Sequence, residues 1–196
     1  MTEVEQSTFL IKGAPILADI AYVRSRHGEE GLQQIYAAMS AEHAARYQRE
    51  RILAASWYTM DFRVAILEAM NAVFGKDRPA YFFDVGAHQA EHNIKNFYKA
   101  FMKIVGPTMT IKLAKLFWSL IYKTSRLEVT AGDNHAELEV FEYPKSGVYN
   151  CHAIRGYVHR TAEISGNNRK NVRSSEVSCL NRGDATCKFV LRWQQE

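Results

Sequence analysis

The chain has 196 residues, of which 47% are hydrophobic and 23% charged, the balance of a single globular domain. Its 25 Lys and Arg against 21 Asp and Glu leave a formal charge of +4, which argues against the basic stripe of a nucleic-acid binder. Disorder, collagen and a small disulfide scaffold are excluded, and Lys or Arg interrupts every apolar stretch before the ~18 residues of a membrane span. The opening Met-Thr-Glu-Val-Glu-Gln-Ser carries neither the basic nor the apolar region of a signal peptide. A cytoplasmic compartment with reduced thiols is therefore expected.

From about residue 14 to residue 124 the apolar spacing is helical. Gly28 and Gly31 divide two early helices. A third is expected from about Asp61 to Phe74, with Phe62, Ile66, Met70 and Val73 on one stripe and Gly75 as its stop. A fourth starts near Ala80, and its stripe reads Phe83, Ala87, Ala90, Ile94, Phe97 and Phe101 up to Gly106-Pro107. The fifth, Thr108 to Lys123, is apolar on two sides: Leu113, Leu116, Phe117 and Leu120 on one, Ile111, Trp118 and Tyr122 on the other. Such a helix is central to a core, lines an apolar pocket or sits in an oligomer interface.

After Ser125 the period changes to two. Leu127–Thr130 and His135–Tyr143 read as strands joined at Gly132-Asp133-Asn134. Tyr149–Glu163 fits either a helix or a strand, with Gly156 near its middle. Lys170–Leu180 and Ala185–Trp193 read as a hairpin turning at Asn181-Arg182-Gly183-Asp184. Helices first and an antiparallel sheet second make an α+β domain.

Three groups of residues invite chemistry. His88-Gln-Ala-Glu91-His92 spells the inverted zinc-protease motif, but its histidines share a helix face with Lys95, Lys99 and Lys103, so a solvated face is expected. Arg155, Arg160, Arg169, Lys170 and Arg173 form a mild basic cluster, again a solvated face or else a phosphate site. The three cysteines of the chain fall at 151, 179 and 187, with Glu176 three residues before Cys179. The turn brings Cys187 back towards Cys179, which suits a metal, a disulfide or small core residues. In a regular strand Glu176 and Cys179 face opposite ways, so shared ligation requires the strand to end or bend between them.

The stretch Glu176-Val-Ser-Cys179-Leu-Asn-Arg-Gly183-Asp184-Ala-Thr-Cys187-Lys-Phe189 resembles the signature of the 4-vinyl reductase (V4R) domain, and Gly156-Tyr157 matches a further part of that pattern. The helical half, with Trp57, is similar to a myxobacterial family of V4R-like proteins. The resemblance implies one V4R-like domain over 1–196, with a helical extension over about 1–58 and a core over about 59–196. It implies the fold shared with vesicle-tether subunits. It also implies a structural zinc held by Cys151, Glu176, Cys179 and Cys187, although Cys151 lies further upstream than the pattern expects. A pocket for a small hydrophobic or aromatic molecule is implied, with Tyr157 in its wall and Trp118, Tyr122 and Phe117 as further candidates. The function expected is non-catalytic ligand binding or sensing, acting through a homodimer or a signalling partner. Two alternatives are an adaptor without a ligand and a tetrapyrrole vinyl-reductase accessory or enzyme, though no G-x-G-x-x-G loop is present. A haem sensor drawing on one of the seven histidines is a further alternative.

Overall fold

The computed structural model describes residues 6–93, 109–110, 113–165 and 171–194. The expectations placed on residues 94–108, 111–112 and 169–170 lie outside these.

Strand β1 (Leu10–Lys12) leads into α1 (Gly13–Ala37), which kinks at Gly28, where φ is 70°. A positive φ is cheap only for glycine, so the expected division falls at Gly28. The next helix, α2 (Ala41–Arg49), is capped by Ser40, whose Oγ accepts from the His43 N–H at 3.3 Å. Strand β2 (Trp57–Thr59) pairs antiparallel with β1, and a bridge from Ile11 to Tyr122 extends the ribbon. Three-residue strands are too short to show a period, so this ribbon left no signal in the apolar spacing.

Helix α3 (Met60–Met70) runs into one π turn over Asn71–Gly75. The chain does stop at Gly75, but the left-handed residues are Lys76 and Asp77. Gly75 is small for another reason: a Cβ there would lie 2.8 Å from the Phe82 ring. Helix α4 (Pro79–Asn93) buries Phe82, Val85, Gly86, Gln89 and Ala90, not the single expected stripe. It packs on two partners, α1 and α6, and so has two inner faces.

Helix α5 covers 113–121, and β3 (Arg126–Ala131) and β4 (His135–Phe141) follow as a hairpin. The ambiguous segment is helical: α6 (Val148–Ile164) lies against α4 at backbone contact. A Cβ on Gly86 would sit 1.8 Å from the Ala153 carbonyl, and one on Gly156 2.0 Å from that of Phe83. Strands β5 (Arg173–Ser178) and β6 (Cys187–Arg192) close an antiparallel sheet in the order β3-β4-β6-β5. The α+β architecture, helical first and antiparallel second, is as the periods predict.

Two apolar layers result. Ile16, Val23, Phe62, Ile66 and Phe82 fill the helical half. Phe9, Met60, Leu127, Leu138 and Phe189 join the helices to the sheet. Among the described residues no helix is long and apolar enough to cross a membrane.

Candidate functional site

Four helices each place one polar side chain at a common buried point. Asp19 of α1 is 0% exposed and Arg63 of α3 is 2% exposed. Arg63 Nε donates to Asp19 Oδ2 at 3.0 Å, and Gln89 Nε2 of α4 donates to Asp19 Oδ1. Arg63 Nη1 donates to Asn150 Oδ1 of α6 at 3.1 Å. Asn150 Nδ2 donates onward to Tyr143 Oη and Ser146 Oγ, each at 2.8 Å. Burial raises the Asp19 carboxyl and Arg63 opposes that rise, while burial holds the Tyr143 hydroxyl well above its ordinary range. The network joins the helical half to the loop that precedes α6. Sequence reading missed it, although Asp19 and Arg63 both stand on otherwise apolar helix faces, with Ile16, Tyr22 and Val23 beside the first and Met60, Ile66 and Leu67 beside the second.

On its other side, α3 borders a cavity of about 390 Å³. Asp61, Val64, Ala65, Glu68 and Ala69 of α3, with Ala72 of the π turn that follows, form one wall. Met39, Ser40 and His43, at the junction of α1 and α2, form another, and Gln6 lies at the edge. The Gln6 side chain donates to the Lys145 carbonyl, so the cavity rim also touches the loop before α6. Asp61 Oδ1 is buried and has no hydrogen-bond partner among the described residues.

The residues expected around a pocket lie elsewhere. Trp118 and Tyr122 pack at 4.2 Å between ring centroids, and Tyr143 and Phe9 complete an aromatic wall in the helix–sheet layer. Trp118 Nε1 donates to Ser125 Oγ at 3.0 Å. Phe117, one position further round the helix, is 48% exposed beside Leu116 and Leu120. Tyr157 packs with Ala90 and Ile164, and burial pushes its hydroxyl up to about 12.

The three cysteines do come together. Cys151 Sγ lies 3.7 Å from Cys187 Sγ and 3.6 Å from Cys179 Sγ, and all three are free and buried. Sheet β5 carries an irregularity between Glu176 and Ser178 and ends there, which supplies the bend that the alternation required. Cys151 reaches the cluster from a helix. Asn181 Nδ2 donates to Cys151 Sγ at 3.1 Å, and the Leu180 N–H donates to Cys187 Sγ at 3.3 Å. The contact with Cys151 lowers the Cys179 thiol to about 7, while the two neighbouring thiols and burial raise Cys151. Glu176 turns to Arg182, which donates to its Oε2 at 2.9 Å, and its Oε1 is buried without a partner among the described residues.

The inverted zinc-protease spelling has a structural explanation. Glu91 is held by Arg160 of α6 at 2.6 and 2.8 Å, so its carboxylate is engaged in an ion pair. His92 is exposed, but His88 is not on a solvated face: it is half-buried, edge-on to Tyr22 of α1. Of the basic cluster, Arg160 also pairs with Glu163, and Arg155 lies over the Phe83 ring.

Similarity to solved structures extends over almost the whole chain. An H-NOX protein from S. oneidensis in its Fe(II)NO ligation state superposes with a TM-score of 0.71 at 13% identity, covering 94% of this chain and 100% of its own. The Fe(II) unliganded H-NOX protein from K. algicida gives 0.67 at 13% identity, over 95% of this chain and 98% of its own. The solution structure of an H-NOX domain from Shewanella oneidensis in its Fe(II)CO state gives 0.70 at 13% identity, with 95% and 100% covered. The fold is that of the H-NOX domains. No protein-family model matches the sequence, and no curated protein does.

This corrects two expectations. The V4R resemblance is overturned, because the structural neighbours are H-NOX proteins and no family model supports V4R. Spacing of a few Cys, Glu and Gly residues around one turn recurs without shared ancestry, and the fold over the whole chain outweighs it. The zinc falls with that resemblance. The neighbours are described by Fe(II), and one by its haem redox potential and porphyrin distortion. Three adjacent thiols are weak ground for a metal, since free cysteines are commonly buried in cores.

Proposed function

We propose that this chain is a non-catalytic small-molecule sensor on the H-NOX fold, and that it works without haem. The observation that carries the reading is the double role of α3. One face of this helix borders the 390 Å³ cavity, and the other carries Arg63 into the buried network with Asp19 and Asn150. A ligand that shifts α3 therefore acts on α1 and α6 directly, and the change reaches the sheet through Tyr143 and a partner through the surface. His43, in the cavity wall, has its Nδ1 3.0 Å from Ser40 Oγ, the same oxygen that accepts from the His43 N–H as the helix cap.

The described residues do not fit a haem. Haem needs an axial ligand, usually His, beside a flat apolar slot. All seven histidines lie among the described residues. His27 stacks on Phe74 at 3.7 Å, His159 bonds Ser174, and His135 is exposed at a turn. His88 and His152 each have a buried ring nitrogen without a partner among the described residues. Yet His88 is wedged at the α1–α4 contact, and His152 is within electrostatic reach of Glu176, Arg155 and Arg182. Between α4 and α6 the backbones touch, and the helix–sheet layer is filled by Phe9, Trp118, Tyr122 and Tyr143. Titrating the purified chain with hemin tests this: no stoichiometric Soret band is expected, and a sharp one-to-one end point would overturn the reading.

A further inference from the structure

Five of the seven large hydrophobic side chains that stand exposed among the described residues share one side of the molecule: Leu53, Trp57, Leu116, Phe117 and Leu120. Strand β1 ties them together. Lys12 pairs with Trp57 across the ribbon, so both side chains leave on the same side, and Lys12 Nζ sits 3.8 Å from the centre of the Trp57 ring. The loop that carries Leu53 is laid across the residues after Lys12, where the Gly13 N–H donates to the Ser56 carbonyl at 3.0 Å and the Ala14 N–H to that of Ala54 at 3.1 Å. On the other edge of β1, Ile11 bridges to Tyr122, and the Lys123 N–H donates to the Leu10 carbonyl at 3.1 Å. Ile11 and Tyr122 point into the helix–sheet core, and Trp118 packs against it. Leu116 and Leu120 stand about 160° round α5 from Trp118 at ~100° per residue, so they leave that core outwards, as Lys12 and Trp57 do.

We infer that this face docks on an anionic lipid membrane. Its fringe is basic: Lys12 and Arg51 flank Trp57 and Leu53, Lys123 follows α5, and Lys115 and Arg126 lie beyond. Glu50 and Glu128, the carboxylates next to these cations, are already held, by Arg46 at 3.0 Å and by Lys115 and Arg126 at 3.2 and 2.6 Å. Positive charge is therefore in excess around the apolar side chains. Those side chains rise from a loop, a ribbon and a helix as separate ridges. A bilayer takes in such ridges without a matching groove, whereas a protein partner needs a surface shaped to all three. Trp sits well in the headgroup layer, where the long stems of Lys and Arg reach lipid phosphates. An anionic leaflet attracts each cation held near its surface. The inference goes beyond the sensor reading and does not depend on it, since it concerns where the protein works and not what it binds.

Co-sedimentation of the full chain with phosphatidylcholine vesicles containing about 30% phosphatidylglycerol tests the assignment. Binding is expected, about tenfold or more tighter than to phosphatidylcholine alone, and weakened by added salt. Leu116→Gln with Leu120→Gln should weaken it about tenfold, and so should Arg51→Gln with Lys123→Gln. All four residues are exposed, so both double variants should keep the parent Tm. Trp57 emission should shift to the blue on vesicle addition, and Trp57→Phe should abolish the shift, because Trp118 and Trp193 are held by Ser125 and the Asp133 carbonyl. Failure to bind the anionic vesicles, or binding that both double variants leave unchanged, overturns the inference. So does a concentration-dependent dimer that Leu116→Gln with Leu120→Gln dissolves, which would give this face to a second copy of the chain.

Discussion

Removing the Asp19 carboxylate isolates a buried cation. In Asp19→Ala, Arg63 loses the acceptor at 3.0 Å and keeps only Asn150 Oδ1 at 3.1 Å, in a site where the residue is 2% exposed. Gln89 loses its acceptor in the same step. Breaking a buried pair from one side costs about 3–5 kcal/mol, because the stranded charge still bears its desolvation penalty. In a chain of this size each ~1 kcal/mol moves Tm by roughly 2–4 °C, so a fall of roughly 6–20 °C is expected. Urea unfolding followed by circular dichroism gives the free energy, and a thermal scan gives the midpoint. The double variant Asp19→Leu with Arg63→Met should lose clearly less than the two single losses added together, since it leaves no unpaired charge. A loss below ~1 kcal/mol in Asp19→Ala would refute the argument, as it would mean that water already reaches Arg63.

Two further outcomes follow from the packing and from burial. Gly86→Ala and Gly156→Ala should each destabilise by more than the ~1–3 kcal/mol of ordinary overpacking, because the added methyl meets a backbone carbonyl that has nowhere to move. Gly28→Ala, where the Cβ meets nothing but φ 70° with ψ −173° is a backbone conformation almost confined to glycine, should cost about 1–3 kcal/mol of strain, and losses at Gly86 and Gly156 no larger than at Gly28 would speak against the close helix contact. His27, His88 and His152 are held below 6.5, first by burial. Their unfolded forms take up protons before the folded ones do, so stability should decline as pH falls below 6.5 and level off beneath the lowered folded values. The urea midpoint measured between about pH 8 and about pH 5 should show this. His88→Phe should flatten the decline, and a midpoint that rises on acidification would contradict it.

The local elements follow from neighbouring side chains alone. A helical period up to residue 124 and a two-residue period afterwards are properties of neighbouring side chains, so they fixed the α+β class, the β3–β4 hairpin at Gly132-Asp133-Asn134 and the β5–β6 hairpin. The three cysteines were legible as a group because one turn links two of them, though their spacing suggested a family that the fold does not bear out. Whatever depends on residues far apart in the chain emerges only when the elements pack. Asp19, Arg63, Gln89 and Asn150 come from four helices, and no period or motif connects them. Gly156 weighed against a helix and a strand alike, and its purpose appears only when Phe83 of α4 lies against it. The two-sided burial of α4 and the cavity beside Asp61 and Glu68 arise likewise, because a helix has a fixed surface but its neighbours choose which parts of that surface are inside.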